Sequence, residues 1–191
     1  LNLLQTHAFG QYGDLLKNLT ISPAMGSYLD NNQNNKWQLN ENYGRELMQL
    51  FSVGLVQLNM DGTPKRDASG KVLETYSQKD VIEITRALTG WDFVPNPTNL
   101  IGNRNFANYG KPMIEFSGRH DTDSKTFLGK TIPAGQTAAK DLDSLVEILV
   151  THPNTAPFVS LRLIQGMTTS DPSPAYLQRV ATVFRDTKGN L

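Results

Sequence analysis

A histidine followed by an aspartate, with a lysine four residues beyond the aspartate, is a set of groups that can move protons. The chain carries it as His120-Asp121 and Lys125 in "SGRHDTDSKTFLG". Imidazole titrates near neutral pH, and a neighbouring carboxylate can orient it, so the pair suits a general base or a metal ligand. The plainer reading makes Asp121 an Asx-turn or cap residue beside a chance histidine. A second candidate lies in "NENYGRELMQLFSVGL", Asn40 to Leu55. Read as a helix, this stretch gathers Tyr43, Leu47, Leu50 and Phe51 on one apolar face. Glu46 then falls about 40° from Leu50 on the helical wheel, where a carboxylate is costly unless paired or hydrogen-bonded. Arg86 of the next long helix, or a backbone N–H, is the expected structural partner; otherwise Glu46 lines a site. Glu41 and Arg45 sit on the far side as an i,i+4 pair worth about 0.2–0.5 kcal/mol. Arg45 and Arg86 are also the groups that would steady an anion, with Lys125 beside them as a substrate-binding candidate.

Composition excludes several other chemistries. The 191 residues hold 18 Lys plus Arg against 18 Asp plus Glu, with no basic stripe, so a nucleic-acid partner is not expected. No apolar run approaches the roughly 20 residues that span a bilayer. With no cysteine, disulfides, thiolate metal sites and a cysteine nucleophile are ruled out. There is no H-E-x-x-H, no G-x-S-x-G elbow and no phosphate-cradling glycine loop, so no metal and no cofactor is expected. "LNMDGT" fails as an EF-hand. Placing Asp61-Gly62 at loop positions five and six puts Gln57 at the first position and Ala68 at the twelfth, where a carboxylate is required. A looser calcium site from Asn59, Asp61 and Asp67 stands against a solvated turn. Trp37, Trp91, Tyr109 and Phe116 suit either a carbohydrate cleft or a core. His152, before Pro153, is expected to support a turn, and His7 to pack.

The elements that must position these groups are mainly helical. The opening "LNLLQTHAFGQYGDLLKNLT" reads as one helix weakened by Gly10 and Gly13, or as two. Ser22-Pro23 starts a short helix, and a longer one begins at Asn40. Short apolar runs at Leu55–Leu58 and Lys71–Tyr76, with Asp61-Gly62 and Ser69-Gly70 between, predict a β-hairpin with a long tip. "SQKDVIEITRALTGW" returns to helix. Residues 92–119 form a long irregular loop rich in Asn, Pro and Gly, in which "PMIEF", like "KTFLG" after it, suits a short strand. Three helices follow, in "TAAKDLDSLVEILV", in the broadly apolar "HPNTAPFVSLRLIQGM", and after the cap Ser173-Pro174. The expectation is a mainly α, bundle-like single domain over residues 1–191 with one small β-hairpin and a long irregular loop. Leu1, already at helical spacing, and the final "KGNL" suggest an internal or C-terminal piece of a longer protein, truncated at the N-terminus.

Several of these segments, in this order and spacing, carry a resemblance. "NENYGRELMQLFSVGL", the "DGTP" hairpin, "DVIEITRALTGW", "HDTDSKTFLGKTI" and "HPNTAPFVSLRLIQGMTTSDPSPAYLQRVATVF" together resemble the bacterial family called domain of unknown function 1800. The resemblance covers nearly the whole chain. It implies a mostly helical, generally exported or periplasmic protein without a settled activity. Such proteins are often encoded beside a second uncharacterised family, domain of unknown function 1501, which is the expected partner. Two departures stand out: Gly44 where the family usually has Ala, and Gly166-Met167-Thr168 where a basic residue is expected. Two functional readings follow. One is a binding or assembly protein working with a partner. The other is a hydrolase of an extracellular polymer, with Glu46, His120 and Asp121 as its catalytic groups.

Overall fold

The computed structural model describes residues 2–95 and 108–190. Among them eight α-helices dominate: α1 Asn2–Thr6, α2 Tyr12–Thr20, α3 Pro23–Tyr28, α4 Asn42–Gln49, α5 Gln78–Ala87, α6 Ala138–Thr151, α7 Thr155–Met167 and α8 Pro174–Asp186. Two small antiparallel sheets complete them, β1 Trp91–Asp92 with β2 Ile114–Glu115, and the hairpin β3 Lys125–Phe127 with β4 Lys130–Ile132. The protein is mainly α with a small hairpin. The middle of the expected long loop lies outside the described residues; its flanks hold β1, β2 and a 3-10 turn at Ser117–Arg119. The chain folds into two compact units. The first comprises Leu1–Leu15, Glu46–Ser77 and Val146–Leu191, the second Leu16–Arg45 and Gln78–Leu145.

The first unit is built on the α7–α8 pair. Ala156, Phe158, Val159 and Phe184 form its core, with Tyr12, Leu58, Met60 and Leu163 packed against them. Ser173 caps α8 as its position before Pro174 predicts, accepting from Tyr176 N at 3.3 Å. Tyr12 donates its hydroxyl to Phe51 O at 2.6 Å and meets the Phe184 ring edge-on. The apolar face read across Asn40–Leu55 is only partly realised. Tyr43, Leu47 and Met48 are fully buried, but α4 stops at Gln49 and Leu50 is 54% exposed. The chain turns there, with Leu50 N and Phe51 N both donating to Glu46 O and Gly54 N donating to Met48 O. A wheel extended past that turn therefore points Leu50 the wrong way.

Residues 55–58 do pair antiparallel with 72–75, through Gln57 N to Leu73 O and Thr75 N to Leu55 O, but the tip between them is not a simple loop. The stretch forms two nested turns: Val56 pairs with Glu74, Leu58 with Pro64 and Arg66 with Val72, all as isolated bridges. Asp61 and Asp67 explain the folding back. Asp61 Oδ1 accepts from Thr63 N and Oγ1, and Asp67 Oδ1 accepts from Ser69 N, Ser69 Oγ and Lys71 N. These side-chain bonds hold both carboxyls below their usual pKa range. The irregular ladder is secured by one buried amide. Asn154 Nδ2 donates to Val53 O (2.6 Å) and Val56 O (2.8 Å), while its Oδ1 accepts from Leu58 N (2.6 Å). Its own N–H donates to His152 Nδ1 at 3.2 Å, so His152 does support this turn. Replacing Asn154 with Ala strands three backbone groups. Each stranded group costs about 1–3 kcal/mol, so urea unfolding is expected to show a loss of at least about 3 kcal/mol. A loss below 1 kcal/mol would remove Asn154 from this role.

In the second unit α5 carries the packing. Val81, Ile84, Ala87 and Leu88 are fully buried, and β3 packs against the same helix. Tyr43, completely buried, donates to Thr20 Oγ1 at 2.9 Å, and Thr20 Oγ1 in turn donates to Leu16 O. Gly44 has a definite reason. A β-carbon there would stand 2.7 Å from Thr85 Oγ1 and 3.2 Å from Ile84 Cγ2. Thr85 Oγ1 cannot swing away freely, because it donates to Val81 O at 2.7 Å. Ala normally gains about 1 kcal/mol over Gly in a helix, but overpacking costs about 1–3 kcal/mol. Gly44→Ala is therefore expected to lower stability, and Gly44→Ala with Thr85→Ala to recover relative to Thr85→Ala alone. A double-mutant cycle by thermal unfolding checks this; additive effects would refute the contact.

Candidate functional site

Of the catalytic and substrate-binding candidates, all except Glu46 fall in the second unit. Of these, Arg86, His120, Asp121 and Lys125 are assembled around the Thr89-Gly90 step at the end of α5. Gly90 has φ of +90°, and an added β-carbon would lie 3.0 Å from both the backbone N and Cβ of His120. Only glycine tolerates that conformation and that approach. Phe116 N donates to Gly90 O, and Gly90 N donates to Asn34 O, so the segment carrying His120 is pinned at this point. Thr89 Oγ1 donates to Arg86 O (2.7 Å) and accepts from Asp121 N (2.8 Å).

That bonding fixes the His120 ring. Its Nδ1 lies 2.9 Å from Thr89 O and 3.1 Å from Thr89 Oγ1. The carbonyl can only accept, and the hydroxyl hydrogen is already directed at Arg86 O, so Nδ1 carries a ring hydrogen. Nε2 faces inward, 3.2 Å from Asp141 Oδ2, within ion-pair distance but out of line for a hydrogen bond. Asp141, on α6, also receives Lys125 Nζ at 2.6 Å and Gln136 Nε2 at 3.1 Å. Lys125 Nζ makes a further bond to the Asp121 carbonyl. His120 and Lys125 are each 1% exposed and Asp141 0%. This is a buried ionic cluster joining the 120–125 segment to α6, and a substrate atom has no approach to it in this conformation.

Asp121 turns the other way. Arg86 grips it through Nε to Oδ2 (2.8 Å) and Nη2 to Oδ1 (3.2 Å), while Arg86 Nη1 holds both Glu83 oxygens at 2.9 and 3.1 Å. Glu83 Oε2 also accepts from Thr126 N at 2.8 Å, tying α5 to β3. Burial acts to raise the Asp121 pKa, but the Arg86 hydrogen bonds, the Asp123 amide and the nearby cations outweigh it and hold the carboxyl below its usual range. The same hydrogen bonds push Arg86 further up, so it remains charged. Arg45 bonds to Glu41 (2.7 Å) and Gln78 (3.0 Å) at the surface. Glu46 belongs to the first unit; its Oε2 is buried and makes no hydrogen bond, and Arg86 is given to Asp121 and Glu83.

The sequence pointed to His120, Asp121, Lys125 and Arg86, which the structure brings together, and missed Thr89, Gly90, Glu83 and Asp141. Asp141 was detectable. It lies about 40° from Leu145 on a helical wheel, the same shoulder position that singled out Glu46. Among the described residues, no group of three or more His, Cys, Asp or Glu is arranged to hold a metal, and no helix is long and apolar enough to cross a membrane.

Two outcomes follow. Asp141→Asn leaves Lys125 without its buried counter-ion and is expected to cost about 3–5 kcal/mol. The apolar pair Lys125→Met with Asp141→Leu is expected to regain most of that loss in urea unfolding; a single variant within 1 kcal/mol of the parent would contradict the cluster's role. Asp121 gives the acid dependence. A carboxyl with a lowered folded pKa stabilises the fold above its unfolded value, about 3.9, and that contribution disappears as pH falls through the folded value. The stability gap between the parent and Asp121→Asn should therefore shrink between pH 6 and pH 2, and a constant gap would refute the assignment.

Residues 1–191 match the family described as "Protein of unknown function (DUF1800)", and the chain belongs to it. No curated protein and no solved structure matches the chain.

Proposed function

We propose that this member of the DUF1800 family is an exported binding or assembly protein that engages a partner protein, of the domain of unknown function 1501 family, through the Trp37 turn. The observation that carries this reading is the way Trp37 is displayed. It is 74% exposed, with Tyr28 and Leu39 also exposed in the same segment. Asn35 N donates to Gln38 O and Gln38 N to Asn35 O, which closes a tight turn with Lys36 and Trp37 at its tip. Asn35 Oδ1 accepts from the N–H of both Trp37 and Gln38, and Lys36 N is anchored on Arg119 O at 2.9 Å. A large aromatic held outward on a rigid turn costs little ordering entropy on binding, and tryptophan is among the residue types that most often dominate interface energies. Lys36 Nζ, 4.9 Å from the indole centroid, adds a positive edge.

The same reading accounts for the titratable groups. His120, Lys125 and Asp141 are consumed by internal bonds, and Asp121 and Arg86 by each other. Export is part of the proposal and rests on what the family resemblance implies. The test is co-purification followed by calorimetry with the neighbouring 1501-family protein. Trp37→Ala is expected to weaken the complex at least about 30-fold, the size of a hot-spot truncation of 2 kcal/mol, without lowering the melting temperature. Binding within threefold of the parent would sink the turn as the contact.

One observation favours the hydrolase reading, the half-buried Glu46 with its unpartnered Oε2. Polymer turnover by the parent that is lost in Glu46→Gln would make it the better one; no turnover by either leaves binding as the function.

A further inference from the structure

Lys125 and Asp141 stand as a nucleophile and an acyl group already in contact. Lys125 Nζ lies 2.6 Å from Asp141 Oδ2, and the two side chains are 1% and 0% exposed. His120 Nε2 lies 3.2 Å from the same Oδ2 and makes no hydrogen bond. Gln136 Nε2 donates to the other oxygen, Oδ1, at 3.1 Å. We infer that Lys125 and Asp141 condense in the folded protein to an isopeptide bond, a covalent cross-link between β3 and α6. This goes beyond the partner-binding reading and rests on different residues.

The pair already holds every atom the step needs. An ammonium and a carboxylate give one amide and one water, with no oxidant and no further reactant. One ammonium proton passes to Oδ2 along the 2.6 Å contact, leaving a neutral amine beside a carboxylic acid. The Nζ lone pair then adds to Asp141 Cγ. Negative charge gathers on Oδ1, where the Gln136 N–H receives it. His120 Nε2 takes a second proton from Nζ and delivers it to Oδ2, the Cγ–Oδ2 bond breaks, and water leaves. Nε2 is free to do this because the ring hydrogen sits on Nδ1, 2.9 Å from Thr89 O. Two conditions favour the product. Holding two ions out of water is costly, and an amide carries no charge. At 1% and 0% exposure there is also no bulk solvent at the site to hydrolyse it. The chain has no cysteine, so no disulfide can staple this segment. The isopeptide bond closes residues 125–141 into a loop and constrains the unfolded chain as a disulfide would.

The test is the intact mass of the whole chain, kept folded in neutral buffer and sampled over time. The parent is expected to lose about 18 Da, one water. After trypsin, residues 120–130 and 141–162 should appear as a single branched peptide, uncut after Lys125. Asp61-Gly62 can also lose one water, by closing to a succinimide. Hydroxylamine opens a succinimide and leaves an isopeptide bond intact, so the two are separable. Lys125→Met with Asp141→Leu, which removes both reacting groups, should show no hydroxylamine-resistant loss. His120→Asn, shown to be folded by cooperative melting, should form the link at least about tenfold more slowly. Full mass in the folded parent at every time would overturn the cross-link, and so would a loss that maps to Asp61-Gly62 and is reversed by hydroxylamine. Formation at the parent's rate in folded His120→Asn would overturn the role of His120 as proton carrier.

Discussion

The second unit depends on a single carboxylate that has been taken completely out of water. Asp141 shares that space with Lys125 at 2.6 Å and the His120 ring at 3.2 Å, and each group is at most 1% exposed. Burying ions costs several kcal/mol apiece, and attraction offsets this only when geometry is good and the remaining donors are satisfied. Most of them are met here: Gln136 fills the other Asp141 oxygen, Lys125 reaches the Asp121 carbonyl, and Thr89 takes the His120 Nδ1 hydrogen, while His120 Nε2 makes no hydrogen bond. Such a cluster adds little net stability over an apolar core. It does fix which loop lies against which helix, because any other register leaves a buried charge alone. Gly90 allows the approach, and the Glu83–Arg86–Asp121 chain braces it from the partly exposed side.

The first unit solves a similar problem with a neutral group. Residues 53–58 are irregular, so their backbone donors and acceptors have no regular ladder to enter. Asn154 satisfies three of them from one side chain, two as donor and one as acceptor. An amide can do this where a carboxylate or hydroxyl cannot, since it presents both polarities at a fixed separation. Both devices are long-range in sequence, and both hold irregular chain against a helix.

Much of the helical architecture was legible because amphipathic periodicity and capping are local. Ser173-Pro174 and the α5 stripe follow directly from residue type and spacing, and of the two readings left open for the opening stretch the structure shows two helices, with Gly13 inside the second. Leu50 was misread because the period was carried past Gln49, the last residue of α4. The outer pairing of the 55–75 hairpin was legible, but its tip was not, because Asp61 and Asp67 each close their own turn through side-chain bonds and so add two short reversals inside it. At the candidate site the titratable residues of the 120–125 segment were visible, but their counter-charge was not. Asp141 lies on another helix, and nothing local links it to His120 beyond its place on the shoulder of an apolar stripe. The role of Gly44 was open in the sequence and is decided by Thr85, forty-one residues away.

The most direct measurement of whether His120 is a built-in strut or an accessible proton carrier is nitrogen-15 NMR of the three histidine side chains in the folded protein. The expected spectrum shows His120 with a hydrogen on Nδ1 that exchanges slowly with solvent, as its 1% exposure and its bond to Thr89 O require. A His120 ring with Nδ1 free of hydrogen, or one exchanging as fast as an exposed imidazole, would contradict the buried cluster and return His120 to the list of groups able to act on a substrate.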